Sequence, residues 1–421
     1  MKEIQAKKFK KINNKTLIAT VDIGKNTMMG YWRCPDGTEG KPFEFFNNGR
    51  GFNKFWKKIS DAQKTHELEN MVVGFESTGC YGEPMVHYLR KRKVELVQVN
   101  PMHTKRVKEL QGNSPLKTDK KDPRVIADII ELGHALTLVV PEGAAAELRR
   151  LTNARERSIV KRTALFNQLQ DDIFLIFPDF LRVMKDIKTK SAQYLLKWAP
   201  TPQAIMGYGT NLVSKALKKV SRGKLGKERA QALVQASWQP VGIHEGRESI
   251  LLEVQHIQNA IEESNRFIHD VEKKMASYLE QIPYSRFILS IKGISNITAA
   301  GLIGEVGDFS KFKTVEEIKK LAGLDLFEIS SGKHKGRCRI TKRGRSLLRK
   351  ILFFAAINVV RKGGILHKQY ESYLERGMVK MKALIAVARK LFSIIFAVVR
   401  DHRDFVENYN ETSKLPIKKY A

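Results

Sequence analysis

Residues 16–33 read TLIATVDIGKNTMMGYWR, a β-prone apolar run that ends in Asp-Ile-Gly and is followed by a second apolar stretch. Two short apolar runs separated by a glycine-containing turn predict two strands joined as a hairpin. Residues 71–76, MVVGFE, are again apolar and β-prone and predict a third strand. These three segments predict the start of a sheet.

Helices and strands alternate after this point. Residues 81–92 have apolar side chains at helical spacing, and residues 94–99 form an apolar, β-branched run that ends at an Asn-Pro pair. Helical spacing returns at residues 123–132. The alternation predicts an α/β domain over residues 1–143.

Residues 144–283 are predicted to be helical, with a long amphipathic helix near their end. Apolar residues recur there in alternating steps of four and three, which is the heptad seam of a coiled coil. This seam can pair subunits, bridge domains or pack as a long core helix, and Ser264 is its one polar position. The seam consists of Ile250, Val254, Ile257, Ile261, Ser264, Ile268, Val271, Met275 and Tyr278.

Residues 284–405 predict a mainly helical C-terminal domain with glycines between its helices, followed by a tail at residues 406–421. The segment LSIKGISNITAAGLIGEVGDF resembles a helix-hairpin-helix in which Gly293 permits a tight turn. Backbone N–H groups in such a turn can face a phosphate. The segment also fits an ordinary helical hairpin.

The charge of the chain predicts a polyanionic partner. The chain has 75 Lys and Arg residues and 44 Asp and Glu residues, which gives a net charge of +31 and an isoelectric point near 9.9. The longest apolar run, residues 391–399, is far shorter than the roughly 20 residues that span a bilayer. The basic N-terminus lacks the apolar core of a secretory signal. We therefore expect a nucleic-acid partner and a cytoplasmic protein.

The three cysteines predict neither a disulfide framework nor a zinc site. Cys34, Cys80 and Cys338 are widely spaced and form no CxxC pair. Reduced thiols are expected.

Four carboxylates stand where a metal site is expected. Asp22 and Glu76 each end a predicted strand, and Asp119 and Asp122 lie three residues apart in KTDKKDPRVIADII, just before an apolar helix. Asp122 with Pro123 behind it also fits a helix N-cap, an interpretation that leaves Asp119 unexplained and is compatible with metal binding. Converging carboxylates suit Mg²⁺, with Mn²⁺ as an alternative, and such ions stabilise phosphoryl displacement.

A strongly basic segment near the C-terminus predicts phosphate contacts. Glycines are interleaved with its cations, which favours a loop that wraps a nucleic acid, although a solvated basic face is also possible. Ser330 and Ser331 precede Gly332 at its head; a serine can attack a phosphodiester, but serine before glycine is usually turn chemistry. The predicted binding residues are Lys333, Lys335, Arg337, Arg339, Lys342, Arg343 and Arg345, and Arg349 and Lys350 extend the run.

The N-terminal motifs together resemble a known family. VDIGK, GFESTGCYGEP, VNPMHTKRV and KTDKKDPRVIAD, in this order, are similar to the DEDD-type transposases of insertion-sequence family one-ten. The resemblance implies a RuvC-like, ribonuclease-H-like domain in which four acids bind Mg²⁺: Asp22, Glu76, Asp119 and Asp122. Pro123 departs from the family, which usually has a small residue at this position.

The C-terminal motifs extend the resemblance. GISNITAAGLIGEVGDFSKF, LAGLDL, SSGK and ITKRGRSLLRKILFFAA are similar to the C-terminal transposase domain of the family. The resemblance implies that Ser331, directly before the glycine, is the nucleophile, with Ser330 as an alternative. Leu326 stands where the family commonly has proline, a difference that affects the loop more than the chemistry.

The resemblance also implies a mechanism and partners. Family members are similar to recombinases that cut and rejoin donor and target DNA through a 5′-phosphoserine intermediate, with the two domains of one site supplied by different subunits. A structured bridge RNA would select the DNA, and the basic surface is compatible with such a partner. A homo-oligomer, favoured as a tetramer of paired dimers, and action at the nucleoid of a prokaryotic cytoplasm are expected.

Two other functions fit parts of the sequence. A RuvC-like junction endonuclease would hydrolyse DNA with water and need only the four acids, so Ser331→Ala would still cleave. A non-catalytic nucleic-acid-binding protein would use the acids as helix caps and give no Mg²⁺-dependent product.

Overall fold

The structure of the protein, a computed structural model, describes residues 12–76, 79–92, 94–112, 122–328, 336 and 338–407. The chain forms two compact units, Met1–Val139 and Val140–Ala421. The division lies four residues before the domain boundary expected at residue 143. None of the described helices is long and apolar enough to span a membrane.

The first unit is a mixed sheet flanked by helices. Its strand order is β3-β2-β1-β4-β5-β6; β1 pairs in parallel with β4, and β4 with β5, whereas the outer pairs are antiparallel. In chain order, its elements are β1 (Thr16–Asp22), β2 (Thr27–Arg33), β3 (Phe43–Phe46), α1 (Gly49–Thr65), β4 (Asn70–Glu76), α2 (Glu83–Arg90), β5 (Glu95–Val99), α3 (Pro101–Gly112), α4 (Asp122–Glu131) and β6 (Leu136–Thr137).

This order confirms the predicted hairpin, the third strand and the strand–helix–strand unit. The central strand β1 is buried along almost its whole length, as expected for an apolar run covered on both faces. One core lies between the sheet and α1 and α2, and a second lies between the sheet and α4. Cys34 is buried, whereas Cys80 and Cys338 are exposed, and all three are free thiols as expected.

The second unit is almost entirely helical. Its elements in chain order are α5 (Gly143–Ile176), α6 (Pro178–Met184), α7 (Lys190–Trp198), α8 (Pro202–Ser221), α9 (Lys227–Ala236), α10 (Arg247–Glu280), α11 (Ser285–Leu289), α12 (Asn296–Val306), a 3-10 turn at Phe309–Lys311, α13 (Val315–Ala322), β7 (Leu326–Phe327), β8 (Arg339–Ile340), α14 (Ser346–Val359), α15 (His367–Glu375) and α16 (Lys380–Arg400).

An antiparallel pair of long helices, α5 and α10, joins the two halves of this unit. Arg155 of α5 donates to Glu272 of α10 at 2.7 Å, and Arg162, two turns further along α5, donates to Asn265 at 2.6 Å. The residue number rises from Arg155 to Arg162 on α5 while it falls from Glu272 to Asn265 on α10, so the two helices are antiparallel. One core surrounds the end near residues 148 and 275, and another surrounds the end near residues 173 and 257.

The heptad seam of α10 is buried within its own chain. Val254 through Met275 at the seam positions are covered, and the polar Ser264 is satisfied because its hydroxyl donates to the carbonyl of Ala260 at 2.8 Å. The two ends of the pattern differ, since Ile250 and Tyr278 are only partly buried and Leu279 is buried instead. The seam therefore links two parts of one chain, and the expectation that it pairs subunits is wrong.

The C-terminal helices agree with the sequence pattern. The predicted helical hairpin is formed by α11 and α12, and Gly293 between them has a φ of 102°. A side chain at Gly293 would be strained by this backbone conformation and would crowd Val359 at 3.1 Å. The core that holds these helices also contains Val271 and Met275, so residues on both sides of position 283 share one core.

Replacing Ile261 by Ala tests the internal seam. Ile261 is 2% exposed, and we expect the substitution to lower the free energy of unfolding by about 2–5 kcal/mol because it leaves a cavity in the core that α10 shares with α5 and α6 to α9. Leu252→Ala on the same helix is the matched control, since Leu252 is 70% exposed and should change stability by less than about 0.5 kcal/mol. Denaturant unfolding of both variants measures this; equal losses would contradict the internal packing of the seam.

Candidate active site and nucleic-acid interface

The parallel pairing of β1 with β4 brings two of the predicted acids to one edge of the sheet. Asp22 and Glu76 are the last residues of these strands, and the register pairs Val21 with Phe75. The carboxyl ends of parallel strands meet at the same edge, which is where open α/β sheets place their ligands. The site therefore follows from strand order.

The electrostatics of Glu76 show that a third acid joins them. Burial raises the pKa of the Glu76 carboxyl above its ordinary value, the Lys108 ammonium opposes this shift, and the carboxylates of Asp22 and Asp122 add to it. A side-chain hydrogen bond with Thr104 lowers it again. Asp22 and Asp122 thus both act on Glu76 in the described structure, which concentrates negative charge around this carboxyl.

Asp122 is positioned by a hydrogen bond to the neighbouring residue Pro123 and by its own ion pair with Lys108. The helix α4 spans Asp122–Glu131, so Asp122 lies in its first turn. The buried hydroxyl of Thr20 donates to the carbonyl of Pro123 at 2.6 Å, which ties the start of α4 to β1. The Lys108 Nζ lies 2.5 Å from an oxygen of Asp122.

Further along, α4 is held against the sheet by charge and by close packing. Arg33 of β2 donates to Asp128 at 2.7 Å and to Glu131 at 3.1 Å, both on α4. At Gly74 of β4 a Cβ would come within 2.1 Å of the Ile130 Cδ1 atom, so a larger residue here would require the Ile130 side chain to move. The position of Asp122 therefore depends on the whole length of α4.

Lys108 and Thr104 are site residues that the sequence analysis missed. Both lie on α3, four residues apart and so on one face of the helix. The signal was present in VNPMHTKRV and the residues that follow, since a lysine one turn after a threonine next to a predicted acid cluster provides a countercharge. Spacing alone did not show that this face of α3 meets the acids.

The donor chemistry fits a divalent metal, but the described residues do not complete a site. Among residues 12–112 and 122–407, apart from those not described, no three acidic, His or Cys side chains are arranged to hold a metal ion. Asp119, the fourth predicted ligand, lies outside the described residues. Hard carboxylate oxygens around a half-buried Glu76 match the preference of Mg²⁺, and Lys108 supplies positive charge at the same place.

In the second unit, two short strands flank the predicted nucleophile. β7 and β8 pair antiparallel, with Leu326 opposite Ile340 and Phe327 opposite Arg339. The chain between them carries Ser330 and Ser331 and the predicted binding residues Lys333, Lys335 and Arg337, which all lie outside the described residues. The described hairpin thus delimits the segment in which the serine lies.

The turn after β8 presents the remaining cations. Arg339, Lys342 and Arg343 are exposed. The Thr341 hydroxyl donates to Asp325 at 2.5 Å, and the Lys342 N–H donates to the carbonyl of Gly323 at 3.0 Å, so the turn is anchored to the end of α13. These three cations are held on a rigid support.

Arg345 was predicted to bind DNA, but its guanidinium does not lie on the surface with the other cations of the turn. Its guanidinium points inward and donates to the backbone carbonyl of Glu305 on α12. Burial, and the nearby Arg149, lower the pKa of Arg345 to about 10, with Glu305 opposing the shift. A basic run does not reveal which guanidinium turns inward, and this one connects α14 to α12.

A shallow hollow of about 260 Å³ adjoins this turn. Its floor is apolar and its rim is cationic, a combination that suits a nucleotide, which has an apolar base face and charged phosphates. Arg349 at the rim is oriented by donating to the carbonyl of Ala322 at 2.9 Å. The hollow is lined by Ile340, Lys342, Ser346, Arg349, Lys350, Phe353, Met381 and Ile385.

Thr20→Val tests how Asp122 is positioned. The isosteric change leaves the Pro123 carbonyl without its buried donor, and we expect a loss of about 1–3 kcal/mol in the free energy of unfolding. The control is Thr152→Val, because the hydroxyl of this buried threonine donates to a carbonyl of its own helix, Leu148 at 2.7 Å, which the helix already satisfies. Thermal unfolding of both variants measures the difference. If Thr20→Val is as stable as the wild type, the bond does not hold α4.

The two arginines of the turn should separate in function. Arg343→Ala should weaken DNA binding and lower the slope of log affinity against log salt by about 1, because one phosphate contact is lost. Arg345→Ala should instead lower thermal stability, since it removes an inward hydrogen bond. Salt titrations of DNA binding by fluorescence anisotropy, with unfolding curves for each variant, test both. An unchanged salt slope in Arg343→Ala would remove it from the interface.

Two families of known proteins match parts of this chain. The family described as "Transposase IS116/IS110/IS902 family" matches residues 285–371. A second family, the DEDD transposases of IS110 elements, matches residues 19–178. The two matches cover the acid cluster in one unit and the serine segment in the other.

Individual relatives come from insertion elements and from a gene-inversion system. The chain is 22% identical to the protein of insertion element IS110 of Streptomyces coelicolor, over 90% of this chain and 93% of the relative. It is 26% identical to the IS116 protein of Streptomyces clavuligerus, over 69% of this chain and 72% of the relative. A pilin gene-inverting protein of Moraxella bovis is 31% identical over 30% of this chain and 39% of the relative.

Proposed function

Because the chain belongs to the IS110 family of DEDD transposases, we propose that it cuts and rejoins DNA with a metal-binding acid cluster and a serine nucleophile. The observation that carries the proposal is the meeting of Asp22, Glu76 and Asp122 at one edge of a mixed sheet, in a strongly basic protein. The chain is a DNA transposase by family, so a purely nucleic-acid-binding role is set aside. The sheet order is compatible with a RuvC-like, ribonuclease-H-like domain.

The acids would act on the phosphate that is attacked. Asp22, Glu76 and Asp122, together with Asp119, would hold Mg²⁺ or Mn²⁺, which when bound would stabilise the charge that develops on the phosphoryl oxygens. Thr104 and Lys108 would orient Glu76 and Asp122. This arrangement keeps two carboxylates in place despite their mutual repulsion.

The serine would make the covalent link. The Ser331 hydroxyl loses its proton to a base or to water, its oxygen forms a bond to phosphorus, and the bond from phosphorus to the 3′ oxygen breaks, so that a 3′ hydroxyl leaves. A 3′ hydroxyl of another strand then attacks the 5′-phosphoserine and releases the serine. No bond energy is lost to hydrolysis, so strands are exchanged without an external energy source.

Cutting with rejoining is favoured over cutting alone. The pilin gene-inverting relative is named for inverting a gene, and inversion requires that broken ends be joined again. A water-using, RuvC-like endonuclease would account for the acids but not for a second family match over the serine segment. Arg339, Lys342 and Arg343 would hold the DNA beside that segment, with Lys333, Lys335 and Arg337.

The partners follow from the family and from charge. Donor and target DNA are the substrates, and a structured bridge RNA is proposed to select them, supported here by the net charge of +31. A homo-oligomer, proposed as a tetramer of paired dimers, would combine acids and serine from different subunits. Its pairing surface must lie elsewhere than the heptad seam of α10, which its own chain covers. Action in the cytoplasm is expected of such an enzyme.

Asp119→Asn should abolish strand cleavage and leave DNA binding nearly unchanged, because it removes a metal ligand and not a phosphate contact. The measurement is cleavage of labelled junction DNA in Mg²⁺, with binding measured separately by anisotropy without divalent metal. Loss of binding equal to the loss of cleavage would instead indicate a folding role for Asp119.

Ser331→Ala should also abolish cleavage, and Ser330→Ala should keep most of it. The adjacent serine is the matched control, since both changes remove one hydroxyl from the same segment and only one removes the proposed nucleophile. If Ser331→Ala still nicks DNA in Mg²⁺, water is the nucleophile and the endonuclease interpretation is correct. If only Ser330→Ala is inactive, Ser330 carries the reaction.

A further inference from the structure

Three aromatic rings form an exposed group on the lobe that contains α6 to α9. Tyr194 and Trp198 are one turn apart on α7, and Tyr208 lies on α8. The rings of Trp198 and Tyr208 are stacked, with centroids 3.9 Å apart and planes inclined by 22°, and the Tyr194 ring is 6.5 Å from Trp198. We call Tyr194, Trp198 and Tyr208 the aromatic ladder.

The ladder is not part of the hydrophobic core of the lobe. Trp198 packs against that core from its edge, whereas neither tyrosine belongs to it. Tyr194 is 42% exposed, and Tyr208 is 37% exposed although one of its faces is covered by Trp198. The two tyrosine rings are thus open to a partner and are not needed to fill the interior.

The backbone around Tyr208 adds space for such a partner. Gly207 and Gly209 flank it, and a Cβ at either position would meet nothing within 4 Å. Gly209 has a φ of 65° and interrupts α8 directly after Tyr208. Because Gly207 and Gly209 have no side chains, the sequence neighbours of Tyr208 do not cover its ring. The ring face not stacked on Trp198 is therefore accessible.

The chain segment that carries the ladder is rich in cations, although Lys197, next to Trp198, is paired with Glu262 of α10 at 2.8 Å. Between residues 179 and 237 the acidic residues are Asp179, Asp186 and Glu228, whereas Lys and Arg together occur twelve times. Lys190 is exposed and lies one turn before Tyr194 on the same face of α7, and Lys188 just before this helix is also exposed. Cations beside exposed rings favour a partner with negative charge and flat apolar faces.

We propose that the aromatic ladder is a binding site for unpaired nucleotides of a nucleic-acid strand, with bases stacking on Tyr194 and Tyr208 and phosphates on the neighbouring lysines. Bases within a duplex are already stacked on each other, so exposed rings can receive only an unpaired base. Stacking accepts every base and both sugars, which suits a structured RNA with single-stranded loops as well as a displaced DNA strand. The inference rests on the proposed nucleic-acid partners but not on the proposed chemistry.

Binding of single strands to the full-length protein tests the site without any cleavage. Fluorescein-labelled oligonucleotides of about 15 nucleotides, as RNA and as DNA of the same sequence, are titrated by anisotropy without divalent metal, beside a duplex of equal length. Tyr194→Leu and Tyr208→Leu should each weaken single-strand binding roughly ten-fold, while Tyr208→Phe should remain near the wild type because it keeps the ring. Duplex affinity should not change.

Leu212→Ala is the matched control, since Leu212 is 49% exposed on α8, four residues after Tyr208 and beyond the kink at Gly209, but has no ring. It should leave single-strand affinity within about two-fold of the wild type, as expected if stacking and not apolar area carries binding. A larger loss with RNA than with DNA would assign the site to an RNA partner, and equal losses would assign it to unpaired strands of either kind.

Three results would overturn the proposal: unchanged single-strand affinity in both tyrosine variants, an equal loss for the duplex, or a loss in Leu212→Ala equal to that in Tyr208→Leu. Circular dichroism of each variant shows whether its helices are intact, and Tyr208→Phe provides the comparison if Tyr208→Leu is unstable. Failure of the proposed chemistry is seen separately, as absent cleavage in Mg²⁺ with single-strand binding intact.

Discussion

The parallel pairing of β1 with β4 is the constraint on which the acid cluster depends. It aligns the carboxyl ends of two buried strands, so Asp22 and Glu76 lie at the same edge of the sheet regardless of the conformation of the connecting segments. The arrangement is costly for a metal-free chain, because burial and like charges both raise the pKa of Glu76. The Lys108 ammonium offsets part of that repulsion, and Thr20, Arg33 and the close approach at Gly74 hold α4 where Asp122 can join.

The second unit contains two separate hydrophobic cores, which must be held together. The antiparallel pair of α5 and α10 contributes residues to both, so a single buried seam supports the serine-bearing region at one end and the aromatic lobe at the other. The Arg155–Glu272 ion pair and the Arg162–Asn265 hydrogen bond fix the register of the two helices, and the Ser264 hydroxyl donates to a carbonyl of its own helix. The paired helices α5 and α10 thus join the part of the unit that contains α6 to α9 to the region that carries the proposed nucleophile.

Much of the fold could be predicted from periodicity, because alternating strands and helical spacings report burial directly. The positions of Asp22 and Glu76 followed from the ends of predicted strands. Periodicity does not say which surface covers an apolar seam, and so the sequence left subunit pairing, domain bridging and core packing open for the α10 heptads, which α5 covers. It also cannot tell which cation of a basic run turns inward, as Arg345 does, or that one face of α3 would bring Thr104 and Lys108 to the acids.

The central claim, a covalent serine mechanism that also uses the acid cluster, is tested most directly by trapping the protein–DNA link itself. The purified protein, Mg²⁺, junction DNA of the element and its flanking transcript are incubated, denatured and digested, and the peptide that carries a nucleotide is located by mass spectrometry. We expect a denaturant-resistant adduct on Ser331 that is absent in Ser331→Ala. Nicked DNA with no adduct on any residue would contradict it.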